Sequence, residues 1–208
     1  MPYKVISGLF DHYEDARRAI GALEAAGIPR ADISIVANNA DNRYTLAGEA
    51  GHSRAAAGAG AGATFGGVVG GGAGLLAGLG MLAIPGVGPV VAAGWLVVTA
   101  AGAAAGAVVG GAAGGIIGAM VRGGVPEDEA HVYAEGVRRG GTLVTVRADE
   151  DRVEAVQAIM TEYNAIDADV RGSAYRESGW TGFDEKAAPY TEAQIDAERD
   201  RLRNRPPV

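Results

Sequence analysis

The sequence predicts an α+β fold: a ferredoxin-like sandwich of two βαβ halves, split by a long helical hairpin rich in glycine and alanine. Three observations predict it. A strand–helix–strand pattern occurs near each end of the 208-residue chain, and the two copies superpose without a gap at an offset of 137 residues. At this offset Gly27 falls on Asn164, and both residue types tolerate the left-handed conformation that ends a helix. Between Arg54 and Arg122, 67 consecutive residues contain no charged side chain and no histidine.

The first half of the domain is predicted at residues 1–38. Residues 3–10 form an apolar strand, and residues 13–23 repeat apolar side chains at spacings of three and four, which indicates a helix with one buried stripe. Gly27 ends this helix. Residues 32–37 alternate isoleucine with serine, as a second strand does.

The second half is predicted at residues 122–172. A helix begins at Pro126 and is followed by three acids, which favour the positive end of a helix. Residues 142–148 then form a strand and residues 151–163 a helix. The internal repeat predicts a last short strand at residues 169–171.

The region between the halves has a regular glycine spacing. We predict a linker at residues 39–54 and a helical hairpin at residues 55–121, with helices at 55–83 and 90–121. Glycine recurs every four residues in two series, which places a smooth groove along each helix. The glycines predicted to pack helices and drive oligomerisation are Gly58, Gly62, Gly66, Gly70, Gly74, Gly78, Gly102, Gly106, Gly110, Gly114 and Gly118. The predicted hairpin turn contains Pro85, Gly86, Gly88 and Pro89.

Two environments would stabilise such a glycine-rich helix, namely a lipid bilayer and the interior of a protein assembly. Each interior glycine costs about 1 kcal/mol relative to alanine in water, whereas a bilayer forces the backbone to pair internally. Each helix would exceed the roughly 30 Å thickness of the hydrocarbon core. We therefore expect contact with membrane lipid, with the α+β domain on the cytoplasmic side of the cytoplasmic membrane because Arg54 and Arg122 flank the hairpin. Mutual burial of hairpins in a homo-oligomer, with a cytoplasmic location, is the alternative.

The remaining composition excludes several classes of protein. A net charge of -7 argues against nucleic-acid binding, and the lack of cysteine excludes thiol chemistry. His12, His52 and His131 have no metal-ligand spacing, so we predict no metal site, no cofactor site and no catalytic residues. Residues 173–208 are predicted to be a largely disordered tail whose partner the sequence does not identify.

Several segments resemble a known family. The run Ser7–Asp11, residues 16–28 and residues 33–36 look like the heat-induced stress protein domain of the YflT-like, or general-stress-protein-like, family, and residues 124–130 and 140–146 continue its pattern. The resemblance covers roughly residues 3–172. It implies a bacterial stress-associated protein, and it implies no catalytic residue.

Together these observations predict a non-enzymatic, stress-associated membrane protein that oligomerises through its glycine-zipper hairpin. Two alternatives stay open. One is a soluble, self-assembling structural protein whose hairpins bury one another, and the other is a small-ligand sensor domain that uses the face of the sheet.

Overall fold

The computed structural model describes residues 3–40, 80–84, 86–97, 99 and 115–204. The strands are β1 (Tyr3–Phe10), β2 (Ile33–Asn38), β3 (Gly80–Ile84), β4 (Gly88–Gly94) and β5 (Thr142–Asp149). The α-helices are α1 (Tyr13–Ala25), α2 (Ile116–Arg122), α3 (Glu127–Arg138), α4 (Val153–Glu162), α5 (Ala168–Glu177) and α6 (Glu192–Arg203). Single 3₁₀ turns at Arg30–Asp32 and Glu150–Arg152 precede β2 and α4.

The strands form one antiparallel sheet in the order β1-β5-β2-β4-β3. Strand β2 lies at its centre, and β5 lies between β1 and β2, with Thr145 opposite both Ser7 of β1 and Ser34 of β2. Beyond β2, β4 continues the ladder with Val91 opposite Ala37. The sheet therefore joins segments that are far apart in the sequence.

Helices cover both faces of this sheet. Helices α1 and α4 bury one face, with a core that includes Phe10, Leu23 and Met160. Helices α2, α3 and α5 cover the other face, around Leu143 and Tyr133. Because β2 and β5 are covered on both sides, their sequences are apolar runs rather than strict alternations. The molecule thus has three layers where a ferredoxin-like sandwich has two.

The predicted α+β class is confirmed, but the second half lacks its last strand. The prediction of a strand at residues 169–171 is wrong, because these residues lie in α5. The Asp167 carboxylate accepts a hydrogen bond from the Asp169 amide at 2.7 Å and so caps that helix. Beside β1 there is a single β-bridge, between Leu9 and Ile166, where a ferredoxin-like fold would place its fourth strand.

The largest difference lies in the uncharged region. Helices were predicted at 55–83 and 90–121, yet residues 80–84 and 88–94 are the paired strands β3 and β4. Part of the predicted second helix is helical, because it includes the short helix α2, which contains Gly118. The rest of both predicted helices, and the linker, lie mainly outside the described residues. Among the helices that are described, none has the length and apolar character needed to cross a bilayer.

The C-terminal segment also differs from its prediction as a largely disordered tail. It contains the second half of α5 and all of α6, and the side chains of Tyr175 and Ile195 are 1 % and 2 % exposed. Helix α6 begins with a capping box between Thr191 and Gln194. This segment folds because it packs on the domain, and not because of its own apolar content.

A pair of substitutions tests the three-layer arrangement. Ile35 and Leu143 are each 0 % exposed and belong to the cores on opposite faces. We expect Ile35→Ala and Leu143→Ala each to lower the free energy of unfolding by about 2–5 kcal/mol, measured by urea denaturation. Val170→Ala, at a side chain that is 57 % exposed, is the control and should have little effect. If either core variant matched this control, its face of the sheet would be open to solvent.

Candidate functional site

The candidate site is the set of elements from which the uncharged region leaves the domain and to which it returns. We call it the anchor region, and it comprises the end of β2, the β3–β4 hairpin, residues 95–97 and helix α2. Residues 40, 80, 97 and 115 are the four positions at which these elements adjoin the linker or the rest of the uncharged region. The geometry of each attachment decides how firmly the uncharged region is held.

Two asparagines hold the end of β2. The Asn38 side-chain amide is 7 % exposed and donates to the Val137 carbonyl at 2.9 Å, while its side-chain oxygen accepts from the Ala40 amide at 2.9 Å. The Asn39 backbone amide donates to the Pro89 carbonyl at 2.9 Å. The chain therefore leaves β2 fixed to both α3 and β4.

The turn between β3 and β4 uses glycine where the backbone requires it. Gly86 and Gly88 have φ angles of 73° and 99°, which side-chain-bearing residues rarely adopt. Between them, Val87 is 0 % exposed and its amide donates to the Ile84 carbonyl at 3.0 Å. The predicted turn is present at this place, and it joins two strands where two helices were expected. Pro89 is the second residue of β4, and Pro85 lies outside the described residues.

The other end of β4 turns over the sheet at Gly94, whose φ angle is 97°. Trp95 follows and its ring lies 5.2 Å from the guanidinium carbon of Arg147 on β5. Arg147 is paired with Asp32 at 2.8 Å. The benzene edge of Trp95 lies against Gly123, just after α2. Trp95 thus ties β4, β5 and α2 together beside the exit at residue 97.

A row of small and polar residues crosses four strands of the sheet and ends at Gly94, the residue before Trp95. Gly94, Ser34, Thr145 and Ser7 are successive partners on β4, β2, β5 and β1. The Ser34 hydroxyl donates to the Ala93 carbonyl at 2.8 Å. Within the described part of the chain, the buried hydroxyls of Ser7 and Thr145 and the indole N–H of Trp95 have no protein partner. Sequence reasoning did not find this row, because it depends on strand register.

The C-terminal segment packs on the anchor region. We call residues 178–204 the clasp. A Cβ atom placed on Gly86 would lie 2.7 Å from the Asp184 carbonyl oxygen, and one on Gly88 would lie 2.8 Å from the Pro189 side chain. The clasp therefore touches the hairpin turn at two places where only glycine fits.

A buried ion network holds the clasp to α3 and the residue after it. Arg139 donates to Glu135 at 2.7 Å and to Glu198 of α6 at 2.9 Å. Glu135 is 0 % exposed, and Arg139 and Glu198 are each 8 % exposed. Arg201 donates two further hydrogen bonds to Glu198, one to each carboxylate oxygen, both at 2.7 Å. Each buried carboxylate has a charged partner, which offsets the cost of burying it.

This network sets the titration of its members. Burial raises the pKa of the Glu198 carboxyl, but hydrogen bonds from Arg201 and Arg139 outweigh burial, so its pKa is lowered from the ordinary value. For Arg139, burial lowers the pKa, and hydrogen bonds to Glu198 and Glu135 raise it above its ordinary value. Both groups are therefore charged across the physiological range.

Aromatic rings surround the arginines of the network. The Arg139 guanidinium carbon lies 4.2 Å from the centroid of Tyr175, and that of Arg138 lies 4.8 Å from the centroid of Tyr190. Arg138 also donates to the Ala188 carbonyl at 3.3 Å. Cation–π contacts of this kind add to the ion pairs, and they place the arginines between α5 and the clasp.

The predicted glycine positions are mostly outside this description. Gly118 lies in α2, and Gly86 and Gly88 lie in the turn; the other zipper glycines are outside the described residues, as is His52. His12 precedes α1 and His131 lies in α3. Among the described residues, no group of three histidine, aspartate or glutamate side chains is arranged to hold a metal ion.

Comparison with known proteins gives the family of the N-terminal part. Residues 5–81 match the family described as the heat induced stress protein YflT domain. Residues 5–81 are thus similar to a YflT stress-protein domain. This confirms the resemblance predicted from the strand and helix motifs of residues 7–36. Comparisons with curated proteins and with solved structures gave no significant match.

The network predicts a pH-dependent stability. We expect Glu198→Gln to lower the free energy of unfolding at pH 7 by about 1–3 kcal/mol, because Arg139 loses a buried charged acceptor. The folded pKa of Glu198 is lowered, so its contribution is complete above the ordinary carboxyl pKa of about 4.3 and is lost as the pH falls through the lowered value.

Urea denaturation of both proteins between pH 3 and pH 7 measures this difference. The matched control is Asp200→Asn in the same helix, whose ion pair with Arg203 is about two-thirds exposed, and it should change stability little. A Glu198→Gln effect equal to that of the control at pH 7 would contradict a stabilising buried network.

Proposed function

We propose that this stress-associated protein is non-enzymatic and self-associates through two glycine-rich segments, residues 55–79 and 98–114. The anchor region holds the ends of these segments. The YflT-like domain supports the stress-associated role. The pairing of β4 with β2 is the observation that carries the proposal, since it returns the middle of the uncharged region to the domain. One predicted hairpin thereby becomes two separate segments.

The lengths of these segments favour assembly over bilayer crossing. A segment whose two ends lie in one domain crosses a bilayer an even number of times, and two crossings need about 40 apolar residues. Only 25 residues separate Arg54 from Gly80, and only 17 separate Val97 from Gly115. Neither uncharged segment has the length for two crossings.

The glycine spacing supports close pairing of backbones. Six glycines recur at intervals of four from Gly58 to Gly78, and four more from Gly102 to Gly114. Small residues at this spacing let helices approach closely in protein interfaces. Because so many glycines make an isolated helix unstable in water, such segments need a partner. A second copy of the same chain supplies one with the same groove.

Substitutions on the zipper test self-association. We expect Gly66→Leu, Gly70→Leu and Gly106→Leu together to reduce the assembly to smaller species, because leucine side chains fill the groove. Light scattering coupled to size-exclusion chromatography measures the mass. The far-ultraviolet circular dichroism of the α+β domain should be retained.

The matched control places leucine at Gly60, Gly72 and Ala104, each two residues away from the glycine series. On a helix these positions lie on the opposite side, so this triple variant should keep the mass of the original protein. Retention of the protein in carbonate-washed membranes would support bilayer insertion and sink the assembly proposal. Identical masses for the two triple variants would show that the zipper is not the interface.

A further inference from the structure

The clasp contacts the one described hairpin that lies between the two glycine-rich segments. At the turn, Asp184 and Pro189 lie against Gly86 and Gly88. Phe183 also approaches Gly86, and it packs against the core that contains Val87 and Val90. Strand β3 is the edge strand and pairs with β4 alone. Contacts at the turn therefore contribute much of the local stability of the hairpin.

The other end of the clasp packs against the residues that follow α3 and against α5, through apolar and charged contacts. The Ile195 side chain is 2 % exposed and lies against Gly140, which has a φ angle of 95°. The Arg199 guanidinium donates to the Gly140 carbonyl at 3.2 Å, and Arg201 donates to the Ala174 carbonyl at 3.4 Å. Together with the pair between Arg139 and Glu198, these contacts distribute the attachment along α6.

Undocking of α6 would change the partners of the charged groups but would leave each group paired. If α6 leaves, Arg139 keeps Glu135 and loses Glu198, while Glu198 and Arg201 move into water with their mutual pair intact. Both sides therefore stay electrically compensated in the open state. A buried pair of this type is a weak source of net stability but a specific one. Undocking of the clasp would therefore leave no buried charge without a partner.

Release of the clasp would uncover a surface suited to association. The clasp would no longer cover the core around Val87 at the hairpin turn. The hairpin would then be held to the rest of the sheet by the pairing of β4 with β2. Loosening of the hairpin exposes the backbone of β2, and open strand edges pair with other chains. The segments on either side of the hairpin would also gain reach toward a neighbouring copy.

We propose that the clasp is an autoinhibitory strap: docked, it keeps the β3–β4 hairpin in the sheet of its own chain, and released, it permits larger assemblies. This inference rests on the proposed self-association and names its regulation. The feature that carries it is the contact of one C-terminal segment with both the buried Arg139 of the domain and the glycine turn of the hairpin.

Two variants of the full-length chain release the clasp by different means. Glu198→Gln removes the buried charge, and Ile195→Ala removes the apolar contact with Gly140. In both we expect the acceleration of amide hydrogen exchange in residues 86–94 to exceed that in β1 and β5 by at least about tenfold, because β1 and β5 respond only to the loss of global stability. We also expect a larger mean particle mass by light scattering. Asp200→Asn, which removes an exposed pair in α6, should change neither quantity.

The two measurements separate the possible failures. Unchanged exchange in residues 86–94 in both variants would overturn the strap. Faster exchange with an unchanged particle mass would confirm that the clasp holds the hairpin and overturn its control of assembly. If the original protein were monomeric and remained so in both variants, the proposed self-association itself would fail. Uniformly faster exchange in every strand would mean that the clasp supports global stability and does not act on the hairpin alone.

Discussion

The pairing of β4 with β2 is the constraint on which the rest of the structure depends. Five residue pairs, from Ser34 with Gly94 to Asn38 with Val90, attach the middle of an uncharged region to the sheet. Without them, the region would be a single long excursion from the domain. With them it becomes two shorter ones, and the backbone groups of β4 gain partners that an apolar segment needs.

Burial on both faces makes this pairing favourable. Strand β4 brings Val90, Val91 and Ala93 into the cores on the two faces of the sheet, and all three are 6 % exposed or less. Burial of such side chains contributes about 25 cal/mol per Å² of apolar surface. The strand is therefore favoured here over a glycine-rich helix exposed to water, in which each glycine is destabilising. The clasp then closes the turn at Gly86 and Gly88. Sheet, hairpin and C-terminal segment therefore support one another.

Local patterns in the sequence predicted the elements that need local information only. The strands β1, β2 and β5 and the helices α1, α3 and α4 follow from apolar spacing and from residues such as Gly27 and Asn164, both of which have positive φ. The hairpin was missed because its apolar run fits a strand and a buried helix equally well. The break in the glycine series between Gly78 and Gly102 was the available signal.

The candidate site was largely beyond such reasoning. Glu198 and Arg139 are 59 positions apart, and nothing in either neighbourhood indicates a buried pair. The strand predicted at residues 169–171 failed for a more local reason. An internal repeat suggested it, while the capping carboxylate of Asp167 begins a helix there. Repeat symmetry was a weaker guide than the capping residue.

Disulfide trapping between β2 and β4 tests the central claim most directly. The chain contains no cysteine, so Ala37→Cys with Val91→Cys, and separately Val36→Cys with Ala92→Cys, create one possible bridge each. These residues are directly opposite in the ladder, at the separation that a disulfide requires. The account predicts an intramolecular disulfide at monomer mass in at least one pair, and none in the displaced control, Ile35→Cys with Val91→Cys. Absence of a bridge in both opposed pairs would show that the middle of the uncharged region does not belong to the sheet.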